Sequence, residues 1–253
     1  NDLGDPAAVF GTSFVFEKKI THANLTITAM GVYEARLNGR RVGQFVMAPG
    51  WTSYHKRLQY QEYDITDLLT NGKNEIEVTV GKGWYRSPLP GWLGCAYQDE
   101  LRSRPCGLAA QITLTFEDGS SKILSTDESW KVSDGPVRFS EIYDGEIYDS
   151  AKTPLLDQPV TIFDGPTDTL ILQQGEEVCE QERLAVKKVF VTPNGETVLD
   201  FGQNMTGYVE LFVNAKAGDC VDLSFAEVMD KEGNFYTENY RGAKAQYHYC
   251  LLY

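Results

Sequence analysis

Leu25-Thr26-Ile27-Thr28-Ala29 places an apolar side chain at every second position, and a few residues on Tyr33-Glu34-Ala35-Arg36-Leu37 runs straight into Asn38-Gly39. A period of two puts successive side chains on opposite faces, so these runs predict strands with one buried face. Asn-Gly tolerates the positive φ angles of a tight hairpin turn, and the chain is expected to return through Val42-Gly43.

The same grammar extends outward in both directions. Asp64-Ile65-Thr66-Asp67-Leu68-Leu69 predicts a single helical turn capped by Asp64 or Thr66, after which Asn71-Gly72 leads into Ile76, Val78 and Val80. Ala110, Ile112, Leu114 and Phe116 form another alternating run, followed by an Asp118-Gly119 turn and a partner strand at Ile123-Leu124. The fold class is therefore all-β, with residues 10–155 read as one antiparallel sandwich.

Across 156–184 the alternation weakens and Pro159, Pro166 and several acids accumulate, which predicts a linker or inter-domain segment. Strand patterning resumes over 185–253, in Val186 to Val191, Thr197-Val198-Leu199, Val209-Glu210-Leu211-Phe212-Val213 and Val221-Asp222-Leu223-Ser224-Phe225. The last run, Tyr247 to Tyr253, ends without a turn or polar tail, so a second, incomplete sandwich is expected.

Composition narrows the function classes. The chain has 253 residues, 42% hydrophobic and 23% charged, enough apolar surface for real cores. A net charge of −13 argues against a nucleic-acid partner, which needs a Lys/Arg surface. No run approaches the roughly 18 apolar residues of a membrane helix, and Asn1-Asp2-Leu3-Gly4-Asp5-Pro6 resembles no secretory leader. Cys95, Cys106, Cys179, Cys220 and Cys250 make an odd set without metal-binding spacing. They read as free thiols packed like small hydrophobes and lean towards a reducing, cytoplasmic compartment, with Cys95 and Cys106 able to pair if the protein is exported.

Aromatic residues carry the clearest binding signal. Trp51 and Tyr54 follow Pro49-Gly50, while Trp84, Tyr85 and Arg86 precede a Pro- and Gly-bearing loop that ends at Trp92. Flat rings on sandwich loops stack on the C–H faces of sugars; equally, they plug the end of a sandwich or face a neighbouring domain. The acidic run Glu141-Ile142-Tyr143-Asp144-Gly145-Glu146 admits three readings. It is a solvated turn bent at Gly145, a hard-cation site using Asp144 and Glu146 with calcium as the fitting ion, or part of a catalytic pair. His22, His55 and His248 are dispersed and read as surface or packing residues.

Asp200-Phe201-Gly202-Gln203-Asn204-Met205-Thr206-Gly207-Tyr208 forms a corner in which Asp200, Gln203 and Asn204 can hydrogen-bond a loop, a neighbouring domain or a ligand. With Ala226-Glu227-Val228-Met229-Asp230 and Asn234-Phe235-Tyr236-Thr237-Glu238-Asn239, it resembles the front end of the bacterial α-L-rhamnosidases, glycoside hydrolase family 78. Upstream, Gly31-Val32-Tyr33-Glu34, Ala48-Pro49-Gly50-Trp51-Thr52, Gly83-Trp84-Tyr85, Ser125-Thr126-Asp127-Glu128-Ser129-Trp130 and Ile142-Tyr143-Asp144-Gly145-Glu146 continue the match.

The resemblance implies a galactose-binding-like jelly roll followed by a concanavalin-like β-sandwich, both preceding an (α/α)6 barrel that hydrolyses terminal α-L-rhamnose with inversion. In that family the acid and base lie in and beyond an Asp-Glu-Arg-x-Gly-Trp segment of the barrel. No such segment occurs here, so no catalytic residue carries over. The implied role is a non-catalytic fragment whose partners are a rhamnose-containing glycoside and the catalytic domain of the same polypeptide. Some related domains are rhamnose-binding modules that use calcium, which implies an autonomous binding module as the alternative, with a structural or interaction domain as a third. Gly31-Val32 stands where some relatives carry polar residues, and Tyr247 where the family usually has Asp.

Overall fold

The structure, a computed structural model, describes residues 5–87, 100 and 103–251. In chain order the first strands are β1 (Ala8–Phe16), β2 (Ile20–Met30), β3 (Val32–Leu37), β4 (Arg40–Arg41), β5 (Leu58–Asp64), β6 (Gly72–Gly81), β7 (Gly107–Phe116), β8 (Ser121–Ser125) and β9 (Lys131–Asp134). There follow β10 (Val137–Glu141), β11 (Gly145–Asp149), β12 (Gln158–Pro159) and β13 (Leu170–Leu172). The last are β14 (Lys188–Val191), β15 (Thr197–Asp200), β16 (Cys220–Ser224), β17 (Val228–Met229), β18 (Phe235–Tyr236) and β19 (Gln246–Cys250).

Two sheets make the first sandwich. One has the order β12-β9-β1-β6-β3-β4 and the other β13-β5-β2-β7-β8. Alternation decides which faces meet: Leu25 and Ile27 of β2, Ile76, Val78 and Val80 of β6, and Ile112 and Leu114 of β7 are all buried in one core. Each such side chain contributes about 1.5–3 kcal/mol by leaving water.

The turns follow from local chemistry. Asp64 Oδ1 accepts the Thr66 backbone N–H at 2.9 Å and the Thr66 hydroxyl at 2.6 Å, opening a 3₁₀ turn over Thr66–Leu68. Asp118, Asp127 and Asp200 do the same for the N–H two residues on, at 2.9, 2.8 and 2.7 Å. Asn38 adopts a φ of 53° and Gly39 one of 76°, as the hairpin requires.

The segment 156–184 lies along this sandwich. β12 pairs antiparallel with β9 and β13 parallel with β5, one on the edge of each sheet. Gln173 on its far side accepts a hydrogen bond from the buried Gln61 at 2.9 Å.

The second part of the chain begins another β-sandwich. Its sheet has the order β10-β11-β19-β16, so the β10–β11 hairpin joins the carboxy-terminal strands, β11 running parallel to β19. Gly145 makes that possible: its φ is +81°, and a Cβ there would strike the Gln246 carbonyl. Tyr148 stacks on Tyr249 across the β11–β19 pair, with centroids 5.2 Å apart and planes within 7°.

Two expectations need correcting. Val209 to Val213 forms no strand, and Phe212 is 87% exposed; among the described residues the run pairs with no strand, and alternation without a partner does not make a sheet. The cysteines are also not all free, because Cys220 and Cys250 form a disulfide. They stand directly opposite in the β16–β19 register with Cα atoms 4.1 Å apart, a proximity that a separation of 30 residues conceals. Cys106 and Cys179 remain thiols, while Cys95 lies outside the described residues.

Candidate functional site

Two turns converge to build the aromatic cluster. One follows the cis Ala48-Pro49 bond, and its Pro49 carbonyl accepts from Gln59 Nε2 at 3.1 Å and Gln61 Nε2 at 3.4 Å. The other is the short helix α1 (Gly83–Arg86) after β6, entered through Gly83 at a φ of +53°. A Cβ at Gly83 would lie 2.9 Å from the Val32 nitrogen, so only glycine admits this approach.

From these turns Trp51 and Trp84 stack with centroids 5.9 Å apart and planes within 4°, while Tyr54 meets Tyr85 edge-on at 5.3 Å. The Arg104 guanidinium lies over Tyr85 at 5.2 Å, and its Nη2 donates to Glu100 Oε1 at 2.9 Å. His55 Nε2 sits 3.3 Å from the same nitrogen. Trp51 remains 58% exposed, so one partner of the stacked pair presents an aromatic surface to solvent. Burial pushes the Tyr54 and Tyr85 hydroxyls above the usual phenol range, keeping both neutral hydrogen-bonding groups. Trp92 lies outside the described residues.

Arg86, next in the chain, also reaches the amino-terminal segment. Its guanidinium is 3.7 Å from the Asp5 carboxylate, at a cavity of about 170 Å³ shared with Lys82, Cys106 and Ser140. Lys82 Nζ bridges Asp5 at 3.1 Å and the nearly buried Glu141 at 2.5 Å, and lies 5.0 Å from the Phe139 ring. Through Lys82 these ion pairs tie the amino-terminal segment to β10.

Asp144 and Glu146 line a second cavity, of about 360 Å³, with Asp222, Lys244, Tyr247 and His248. Burial, reinforced by the nearby Glu34 charge, raises the Glu146 pKa. Neither acid belongs to a group of three His, Cys, Asp or Glu side chains with ligand atoms gathered at metal-binding distance; among the described residues that group is Cys220, His248 and Cys250. Asp200, half-buried at the end of β15, holds the Gly202 N–H, and the exposed Gln203 and Asn204 follow it onto the surface.

Sequence reading passed over the residues around the disulfide. His248 Nδ1 is 2.5 Å from Asp222 Oδ1, and its Nε2 is 3.2 Å from Cys250 Sγ. The available signal was spacing: Cys220 and Asp222, like His248 and Cys250, are two apart on a strand and so share a face.

Among the described residues no helix is long and apolar enough to cross a membrane. Comparison with known proteins places this architecture. The family described as the α-L-rhamnosidase N-terminal domain matches residues 18–182, and the bacterial α-L-rhamnosidase concanavalin-like domain matches 190–252. An α-L-rhamnosidase of Streptomyces avermitilis is 37% identical over 245 residues, covering 92% of this chain but 23% of that protein. One of Formosa agariphila is 34% identical, covering 93% and 26%. The chain thus spans about a quarter of the length of these curated relatives.

The crystal structure of the native α-L-rhamnosidase from Aspergillus terreus superposes with a TM-score of 0.91 at 37% identity, over 100% of this chain and 30% of that one. The Streptomyces avermitilis enzyme complexed with L-rhamnose gives 0.88 at 36% identity, over 97% and 25%. With both of its β-sandwich regions matched in order, the chain belongs to the α-L-rhamnosidase family, corresponding to its N-terminal and concanavalin-like domains.

Proposed function

We propose that this chain is the non-catalytic amino-terminal part of an α-L-rhamnosidase. The whole enzyme would remove terminal α-L-rhamnose from glycosides through an (α/α)6 barrel that these two β-domains support. The carrying observation is coverage: the two matched domains occupy residues 18–182 and 190–252, while the chain corresponds to only 23% of the Streptomyces relative. Asp200, Gln203 and Asn204, the last two exposed, are the side chains we assign to the contact with that further domain. The test is hydrolysis of p-nitrophenyl α-L-rhamnoside by the purified chain. No release above buffer is expected, and release proportional to protein concentration would overturn the proposal.

A second reading, carbohydrate binding by the first sandwich, draws on the solvent-facing Trp51 stacked on Trp84. A sugar ring would lie on that open face, and Tyr54 and Tyr85 would bound it. Calorimetric titration with L-rhamnose, first with calcium and then with a chelator, tests the sugar and the ion together. Heat in neither condition removes this reading. Heat that vanishes with chelator assigns calcium to binding, with Asp144 and Glu146 as the ligands to substitute first. A cytoplasmic location, suggested by the odd cysteine count, would keep Cys220 and Cys250 as thiols; counting thiols in protein taken from its source distinguishes the compartments.

A further inference from the structure

We propose that Cys220, Cys250 and His248 form a redox-gated site for a thiophilic divalent cation, closed as a disulfide and opened by reduction to bind one Zn²⁺. The β16–β19 register sets Cys220 opposite Cys250 and Asp222 opposite His248, so strand alternation gathers all four side chains on one face. The His248, Cys220 and Cys250 ligand atoms lie within 4.8 Å of one another. A tetrahedral zinc with Zn–S near 2.3 Å and Zn–N near 2.0 Å separates its ligand atoms by roughly 3.5–3.8 Å. Nε2 and the Cys250 sulfur are already 3.2 Å apart, so side-chain adjustment brings them to that spacing without moving the strands.

The independent observation is Asp222. Its carboxylate lies 2.5 Å from His248 Nδ1 and holds the imidazole as the Nδ1–H tautomer, which leaves the Nε2 lone pair facing the sulfurs. A carboxylate behind the far nitrogen of a ligating histidine is the usual support of a zinc site, orienting the ring and raising its basicity. Cys220 is exposed and the His248 side chain 40% exposed, so an ion reaches them from solvent and water fills the fourth position.

The chemistry balances with a dithiol as reductant. One thiolate attacks the Cys220–Cys250 bond, forming a mixed disulfide and releasing one protein thiolate; the second thiolate of the dithiol attacks that mixed disulfide and releases the other, so the dithiol leaves as its own disulfide and its two protons end on the two protein sulfurs. Zn²⁺ then displaces the two thiol protons, forming two Zn–S bonds and one Zn–Nε2 bond. In the oxidised protein neither sulfur is a thiolate, and the site does not bind.

The test uses the whole chain, oxidised or reduced by dithiol and desalted under argon, titrated with Zn²⁺ by calorimetry and with Co²⁺ by absorption. Expected are one Zn²⁺ per reduced chain, none per oxidised chain, and a thiolate-to-cobalt charge-transfer band only after reduction. His248→Gln, which leaves the disulfide in place as a mass-spectrometric check of folding, should weaken zinc binding by at least tenfold after reduction. Asp222→Asn should weaken it about tenfold. The proposal is overturned by equal binding to oxidised protein, by stoichiometric binding to the Cys220→Ser, Cys250→Ser double variant, by full affinity in His248→Gln, or by a reduced chain that binds no Zn²⁺, whether folded or unfolded.

Discussion

Asn74→Ala tests how the end of the first sandwich is held together. Asn74 is fully buried at the start of β6, where its Oδ1 accepts Asn38 Nδ2 and the Thr70 backbone N–H, both at 2.8 Å. Its Nδ2 donates to the carbonyls of Thr70 at 2.9 Å and Gly72 at 3.1 Å. One side chain therefore joins the turn before β6 to the Asn38-Gly39 hairpin. Alanine deletes these four hydrogen bonds and a longer one from the Thr70 hydroxyl at 3.4 Å; the four shorter ones, each worth about 0.5–1.5 kcal/mol net, amount to about 2–6 kcal/mol together. Thr70 is exposed and Gly72 half-buried, so water recovers part of the loss, and about 3 kcal/mol is expected. At about 2–4 °C per kcal/mol for a protein of this size, Tm should fall by roughly 6–12 °C.

Calorimetry and urea unfolding followed by tryptophan fluorescence measure this change. Asn38→Gly supplies the second arm, because glycine keeps the left-handed turn while losing the hydrogen bond to Asn74. Since the two residues share that bond, the double variant should lose about 0.5–1.5 kcal/mol less than the sum of the singles. A loss below about 1 kcal/mol for Asn74→Ala, or strict additivity, would refute the reasoning.

Trp51→Ala should change stability by less than about 1 kcal/mol, because the ring is 58% exposed, yet it should abolish any L-rhamnose heat; retained sugar binding in calorimetry would exclude this cluster. Burial raises the Glu146 pKa, so the folded protein binds that proton more tightly than the unfolded chain and loses stability as pH rises through the window above the ordinary carboxylate pKa. Glu146→Gln should therefore be more stable than wild type at neutral pH in urea unfolding, and the advantage should disappear below that window. Desolvation pushes the Cys106 thiol up to about 11, so its alkylation, followed by mass spectrometry, should rise about tenfold per pH unit between roughly pH 8 and 10. A plateau in that range would contradict the burial.

Where burial is one-sided, the sequence was readable. Leu25 and Ile27, or Ile76, Val78 and Val80, declare a strand because a sandwich needs every second side chain inside. Asp64 and Asp118 mark their turns because each side chain satisfies a backbone N–H two residues on. Val209 to Val213 shows the limit, as the same alternation forms no strand there. The aromatic candidates show it too: Trp51, Tyr54, Trp84 and Tyr85 come together from two turns, and Arg86 meets Asp5 of the amino-terminal segment. Nothing in Trp84-Tyr85-Arg86 announces those contacts.

By itself the sequence determined the all-β class, the hairpins and their turns, and the family, because these depend on local periodicity, residue chemistry and ordered motifs. Only tertiary structure decided which distant strands pair. That choice carried the β10–β11 hairpin into the sheet of β16 and β19, and set Cys220, Asp222, His248 and Cys250 on one face. Strand pairing is non-local: hydrogen bonds between backbones carry little residue identity, and register is selected by the faces that must be buried together. A side-chain cluster that depends on such a register becomes visible only once the sheet has formed.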